Sequence, residues 1–131
     1  MKLFLGAVIC NSLLSSVTSF AQGVHAVKRL DGYQCMSLAH LWDGVGPQPA
    51  PVHVYDSPAP TAAAVGFAAG TVLVTNPARA AGGRLQMLWP NGRTVWIASS
   101  EVVPFHVVSD PNATCTPVLL SNGRYGTTGK Y

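Results

Sequence analysis

Hydrophobic positions run without a break early in the chain and are broken into short pieces after it. Residues 3–14 form a mostly apolar run behind Met1-Lys2, and Ser19 and Ala21 stand at the end of the polar stretch that follows. One positive charge, about a dozen apolar residues and small side chains three and one places before a cut are the marks of a secretory signal peptide, so 1–21 is expected to be removed after Ala21. The run is too short for a bilayer-spanning helix, which needs about twenty apolar residues, and no later stretch is longer; no membrane insertion is expected after cleavage. Cys10 is a poor lipid-attachment residue because the bulky Ile9 precedes it.

From Val52 the pattern is one of short β-prone runs between turn residues, the signature of an all-β domain. Strands are predicted at 52–55, 71–75, 84–89, 94–98 and 102–108, the last interrupted by Pro104. Pro90-Asn91-Gly92 predicts a hairpin with a type I turn and a bulge, because proline presets the first central φ and glycine takes the positive φ that follows. Ser99-Ser100-Glu101 can open a single helical turn with serine oxygens as caps. The alanine-rich stretch 62–69 lies between Pro60 and two glycines and reads as a loop. Residues 22–51 read as a leader. Its Cys35, Leu38 and Trp42 fall at helical spacing and suggest a turn or two of helix, followed by an extended Gly/Pro segment at 44–51. Residues 109–131 read as an irregular tail, frayed from Tyr125 onward.

Composition narrows the field. Hydrophobic residues make up 48% of the chain and charged ones 10%, which is incompatible with ordinary disorder. The formal charge of +3 includes Lys2, and the remaining basic residues are scattered, so no nucleic acid is expected as a partner. With Cys10 removed, Cys35 and Cys115 are left in a chain sent to an oxidising compartment, where pairing is the default. The loop they would close is worth about 4 kcal/mol by chain entropy.

In order and spacing, several segments resemble the bacterial Src-homology-3-like (SH3b) domain. They are Val54-Tyr55-Asp56-Ser57-Pro58, Val65-Gly66, Gly70-Thr71-Val72-Leu73-Val74, Asn91-Gly92-Arg93-Thr94-Val95-Trp96-Ile97 and Glu101-Val102-Val103. The resemblance implies a small five-stranded SH3-like barrel over 52–108. The 22–51 leader carrying Cys35 and the 109–131 tail carrying Cys115 would then be irregular flanks of the kind seen on small exported proteins. Two positions depart from the family pattern: Arg84 or Leu85 stands where a tryptophan often enters the third strand, and Val95 where glycine often precedes the late tryptophan.

Candidate chemistry is sparse. His25, His40, His53 and His106 lack the three-to-five-residue spacing of a zinc site, so neither metal nor cofactor is expected. Asp31, Asp43, Asp56, Glu101 and Asp110 fall in turns or at element edges, where capping and solvation account for them. No nucleophile elbow, phosphate loop or Cys/His dyad is present, and the chain is not expected to be an enzyme. The resemblance instead implies an aromatic-walled ligand groove, with Tyr55 and Trp96 lining it and Trp89 exposed at the hairpin mouth. The function it implies is a periplasmic or secreted binding module of the bacterial envelope, directed at cell-wall peptide, peptidoglycan or an envelope protein. The alternatives are a secreted inhibitor or immunity-type protein, or a purely structural envelope protein if those aromatics are buried.

Overall fold

The structure is a computed structural model that describes residues 23–41 and 44–130. The signal peptide read at 1–21, with Cys10, and the leader residues Trp42 and Asp43 lie outside the described residues. The architecture is all-β and antiparallel. Eleven strands are formed: β1 (Ala26–Arg29), β2 (Tyr33–Leu38), β3 (Val52–Tyr55), β4 (Ala64–Ala68), β5 (Thr71–Thr75), β6 (Ala80–Ala81), β7 (Arg84–Leu88), β8 (Thr94–Ala98), β9 (Val102–Pro104), β10 (Thr114–Leu120) and β11 (Tyr125–Lys130). They make an eight-stranded sheet, in the order β4-β3-β8-β7-β5-β2-β9 with β6 beside β7, and a three-stranded sheet β1-β10-β11.

The five expected strands are present as β3, β5, β7, β8 and β9, but they are not a closed five-stranded unit. Neither sheet closes, and the leader contributes β2 between β5 and β9. Among the described residues of 31–42, where a turn or two of helix was expected, β2 forms instead. Gln34, Met36 and Leu38 alternate with Tyr33, Cys35 and Ser37; Met36 and Leu38 join one apolar cluster, Tyr33 and Cys35 the other. A strand covered on both faces shows no alternation in sequence, which hides it. The alanine-rich stretch is likewise a strand. β4 pairs with β3, and its inward position is taken by Gly66, where a Cβ would lie 3.1 Å from the Trp89 indole, while Val65 and Phe67 point out and are exposed. Large residues outside and small ones inside invert the usual strand pattern.

The tail is ordered as well. β10 and β11 pair over six registered positions from Thr114↔Lys130 to Leu119↔Tyr125, so Tyr125 begins a strand rather than a frayed end. This hairpin and β1 cover part of the large sheet's outer surface, where Cys35, Leu73 and Leu88 pack with Leu30, Tyr33, Phe105, Cys115 and Tyr125. The opposite, inner face carries the main core around Val54, Val74, Val95 and Ile97, all fully buried. Cys35 and Cys115 form the disulfide, with Cα atoms 6.1 Å apart, tying β2 of one sheet to β10 of the other.

Turn chemistry follows the sequence closely at the hairpin. The Gly92 N–H donates to the Trp89 carbonyl at 2.8 Å, the Arg93 N–H donates to Asn91 Oδ1 at 2.9 Å, and Gly92 adopts φ 87°. At 99–101 the helical turn forms as a 3-10 turn without a side-chain cap, because Ala98 rather than a serine takes the capping position, while Ser99 donates both its N–H and its Oγ–H to the Gly83 carbonyl. That contact holds the Gly82-Gly83 turn against the large sheet. Gly82, at φ 58°, lies so close to the Pro58 carbonyl that an added Cβ would collide with it, whereas Gly83, at φ 73°, faces open space. Gly83→Ala is therefore expected to cost only the positive-φ penalty of about 1 kcal/mol, and Gly82→Ala about 2 to 3 kcal/mol, as read from urea midpoints. Equal losses would show that the Pro58 contact does not matter.

Candidate functional site

Side chains on the outer face of the large sheet alternate with the buried core residues, so strand register decides which of them meet. Tyr55 on β3 faces Trp96 on β8, and Trp96 faces Gln86 on β7. The β5–β7 pairing, Leu73↔Leu88 and Val74↔Met87, stops one residue short of Thr75, and the Gln86 N–H donates instead to the Arg79 carbonyl; Thr75 and Gln86 bound a common hollow, and Thr75 faces Tyr33 on β2. The result is one row of side chains on five strands, Tyr55, Trp96 and Gln86 in register on one side of the hollow and Thr75 and Tyr33 in register on the other. Four inter-strand gaps make it about 19 Å long. Thr75 is buried and the other four side chains are half-buried, so the row forms a floor open to solvent.

The Tyr55 end is braced by Arg84, which lies on the same face of β7 as Gln86. The Arg84 guanidinium lies 3.6 Å from the Tyr55 ring centroid, a cation–π contact, and its Nη1 donates to the carbonyls of Ser57 at 3.1 Å and Ala59 at 2.7 Å. Arg84 thus fixes both the tyrosine and the loop after β3. Beyond Tyr55, the His53 ring lies 4.7 Å from the Phe67 ring and 6.4 Å from that of Tyr55. Aromatic surface therefore continues to the sheet edge at β4.

At the other end the row opens into a hollow of about 370 Å³ bounded by Gly32, Tyr33, Thr75, residues 76–79 and Gln86. The 76–79 loop is anchored three times: the Asn76 N–H donates to the Gly32 carbonyl, the Arg79 N–H donates to Thr75 Oγ1, and the Arg79 carbonyl accepts from the Gln86 N–H. The hollow is therefore framed by rigid backbone.

Of the three aromatics singled out from sequence, Tyr55 and Trp96 come together, as cross-strand neighbours. Trp89 does not join them. Its side chain turns to the inner face, against Gly66 and the main core, and lines a separate apolar cavity of about 250 Å³ with Phe67, Met87 and Tyr125. Tyr33, Gln86 and Arg79 were not legible as site residues; Tyr33 lies in the leader, and only the β2–β5 pairing brings it to the row. Among the described residues no group of three or more His, Cys, Asp or Glu side chains is placed to hold a metal ion. Asp110 serves its turn, accepting from the Asn112 N–H at 3.0 Å. Stacking surface beside amide, hydroxyl and guanidinium donors suits holding an extended ligand by contact and hydrogen bonding. Comparison with protein-family profiles, curated proteins and solved structures finds no match for the chain.

Proposed function

We propose that the protein is a non-catalytic, exported binding module of the bacterial envelope, with an SH3-like core that recognises a peptide of the cell wall. The observation that carries this reading is the cross-sheet row, with Tyr55 and Trp96 side by side and open to solvent. Aromatic side chains on register-paired positions offer apolar surface to a chain whose own backbone supplies hydrogen bonds. The neighbour relations β3–β8, β8–β7 and β7–β5, with the tight hairpin between β7 and β8, support the SH3-like reading of the core, to which β2, β4 and β6 are added. The disulfide accords with an oxidising, extracytoplasmic compartment, as does the signal peptide read at 1–21.

Sedimentation of the mature protein with insoluble peptidoglycan tests the reading. The parent is expected in the pellet, and Trp96→Ala is expected to lower the bound fraction at least tenfold, a typical effect for an aromatic anchor. Because Trp96 is half-exposed on the outer face, its loss should leave the fold intact, which far-ultraviolet dichroism would verify. A parent that stays in the supernatant, or a Trp96→Ala protein that pellets like it, would count against a wall-binding role.

A further inference from the structure

We infer that the hollow at the Tyr33 end of the row is a carboxylate subsite, which takes the free C-terminal carboxylate of an extended peptide lying across Gln86, Trp96 and Tyr55. The inference rests on the binding role proposed above and specifies its ligand. Every ionisable or amide side chain bounding the hollow can donate a hydrogen bond: Tyr33, Asn76, Arg79 and Gln86. Among the described residues no carboxylate bounds it; Asp31, next to Gly32 in the chain, does not line it.

Arg79 is exposed, and its guanidinium has no hydrogen-bond or ion-pair partner among the described residues. It contrasts with Arg84, whose guanidinium is committed to Tyr55 and to two carbonyls. An arginine fork on an anchored loop matches the planar, two-oxygen geometry of a carboxylate better than a lysine would. The side-chain donors of Tyr33, Asn76 and Gln86 are likewise without partners.

Geometry selects a chain terminus rather than a passing side chain. Among the described residues the row ends at Tyr33, because β9 pairs with β2 only from Met36 to Leu38. A ligand running from Tyr55 along the row thus stops at the hollow. The length of about 19 Å corresponds to about five or six extended residues at the usual strand rise.

The test uses a synthetic pentapeptide of alanine and glycine with a free C-terminus, its C-terminal amide, and the mature protein, with binding followed by tryptophan fluorescence and amide chemical shifts. The parent is expected to bind the acid at least tenfold more tightly than the amide. Arg79→Gln should erase that preference and Arg79→Lys should restore part of it, while Trp96→Ala should weaken both peptides alike. Acetate is expected to compete with the acid more effectively than inorganic phosphate. Failure of the parent to bind the acid, equal binding of acid and amide, a preference that survives Arg79→Gln, or stronger competition by phosphate would each overturn the carboxylate subsite. Peptidoglycan sedimentation separates the two levels of the argument. If Arg79→Gln pellets like the parent while Trp96→Ala does not, the subsite is refuted and wall binding stands; if the parent does not pellet, wall binding is refuted.

Discussion

Replacing Cys35 and Cys115 together by alanine is expected to lower the melting temperature by about 15 to 20 °C. The two cysteines lie 80 residues apart, so the bond restricts most of the unfolded chain, and loop-closure entropy puts its contribution at about 4 kcal/mol. For a domain of about a hundred residues, 1 kcal/mol moves the midpoint by about 4 °C. The effect should also be uneven in space. The disulfide joins β2, next to the edge strand β9 of the large sheet, to β10 of the small one, which is otherwise held by the cluster around Leu73, Leu88 and Tyr125 and by the Tyr125 N–H donating to the Pro90 carbonyl. Hydrogen exchange should therefore accelerate in β10 and β11 far more than in β7 and β8. A shift below about 5 °C, with exchange raised equally everywhere, would mean that the small sheet is held by its apolar contacts and that the bond adds little.

Ile97→Ala is expected to cost about 3 kcal/mol, within the range of 2 to 5 seen for such truncations. Ile97 is fully buried and stands between Val54 on β3 and Leu85 on β7 in register, so its side chain joins three strands of the main core. Around it Val54, Val74 and Val95 are also fully buried. β-Branched neighbours on a sheet have little freedom to collapse into the space left, so a cavity should persist. Val65→Ala, at a position 38% exposed on β4, provides the contrast and should change stability by less than about 0.5 kcal/mol. Urea midpoints measure both, and similar values for the two would place the centre of the core elsewhere.

Legibility along the chain followed the number of faces each segment buries. β3, β5, β8 and the turn between β7 and β8 were read to within a residue, because each carries β-branched residues bounded by Pro, Gly or Asn, and those residues act locally. β2 was misread because it is covered on both sides, and β4 because its small inward residues make room for Trp89. β10 and β11 carry Gly and Pro that are ordinarily depleted in strands, and their pairing to each other and to β1 outweighs that propensity.

The candidate site divides in the same way. Tyr55 and Trp96 stood out as aromatics in β-prone runs, but whether they touch, and which face Trp89 takes, depends on inter-strand register. Arg79 and Tyr33 are separated by more than forty residues and meet only because β2 pairs with β5. By itself the sequence determined the all-β class, the strands at 52–55, 71–75, 84–88 and 94–98 with the turn between the last two, and the pairing of Cys35 with Cys115, since the strands and the turn follow from local backbone preference and the cysteines from the chemistry of pairing. Tertiary structure alone decided the strand order, the insertion of the leader into the sheet and the composition of the outer-face row, because hydrogen bonding between distant strands, rather than any local preference, sets which side chains become neighbours.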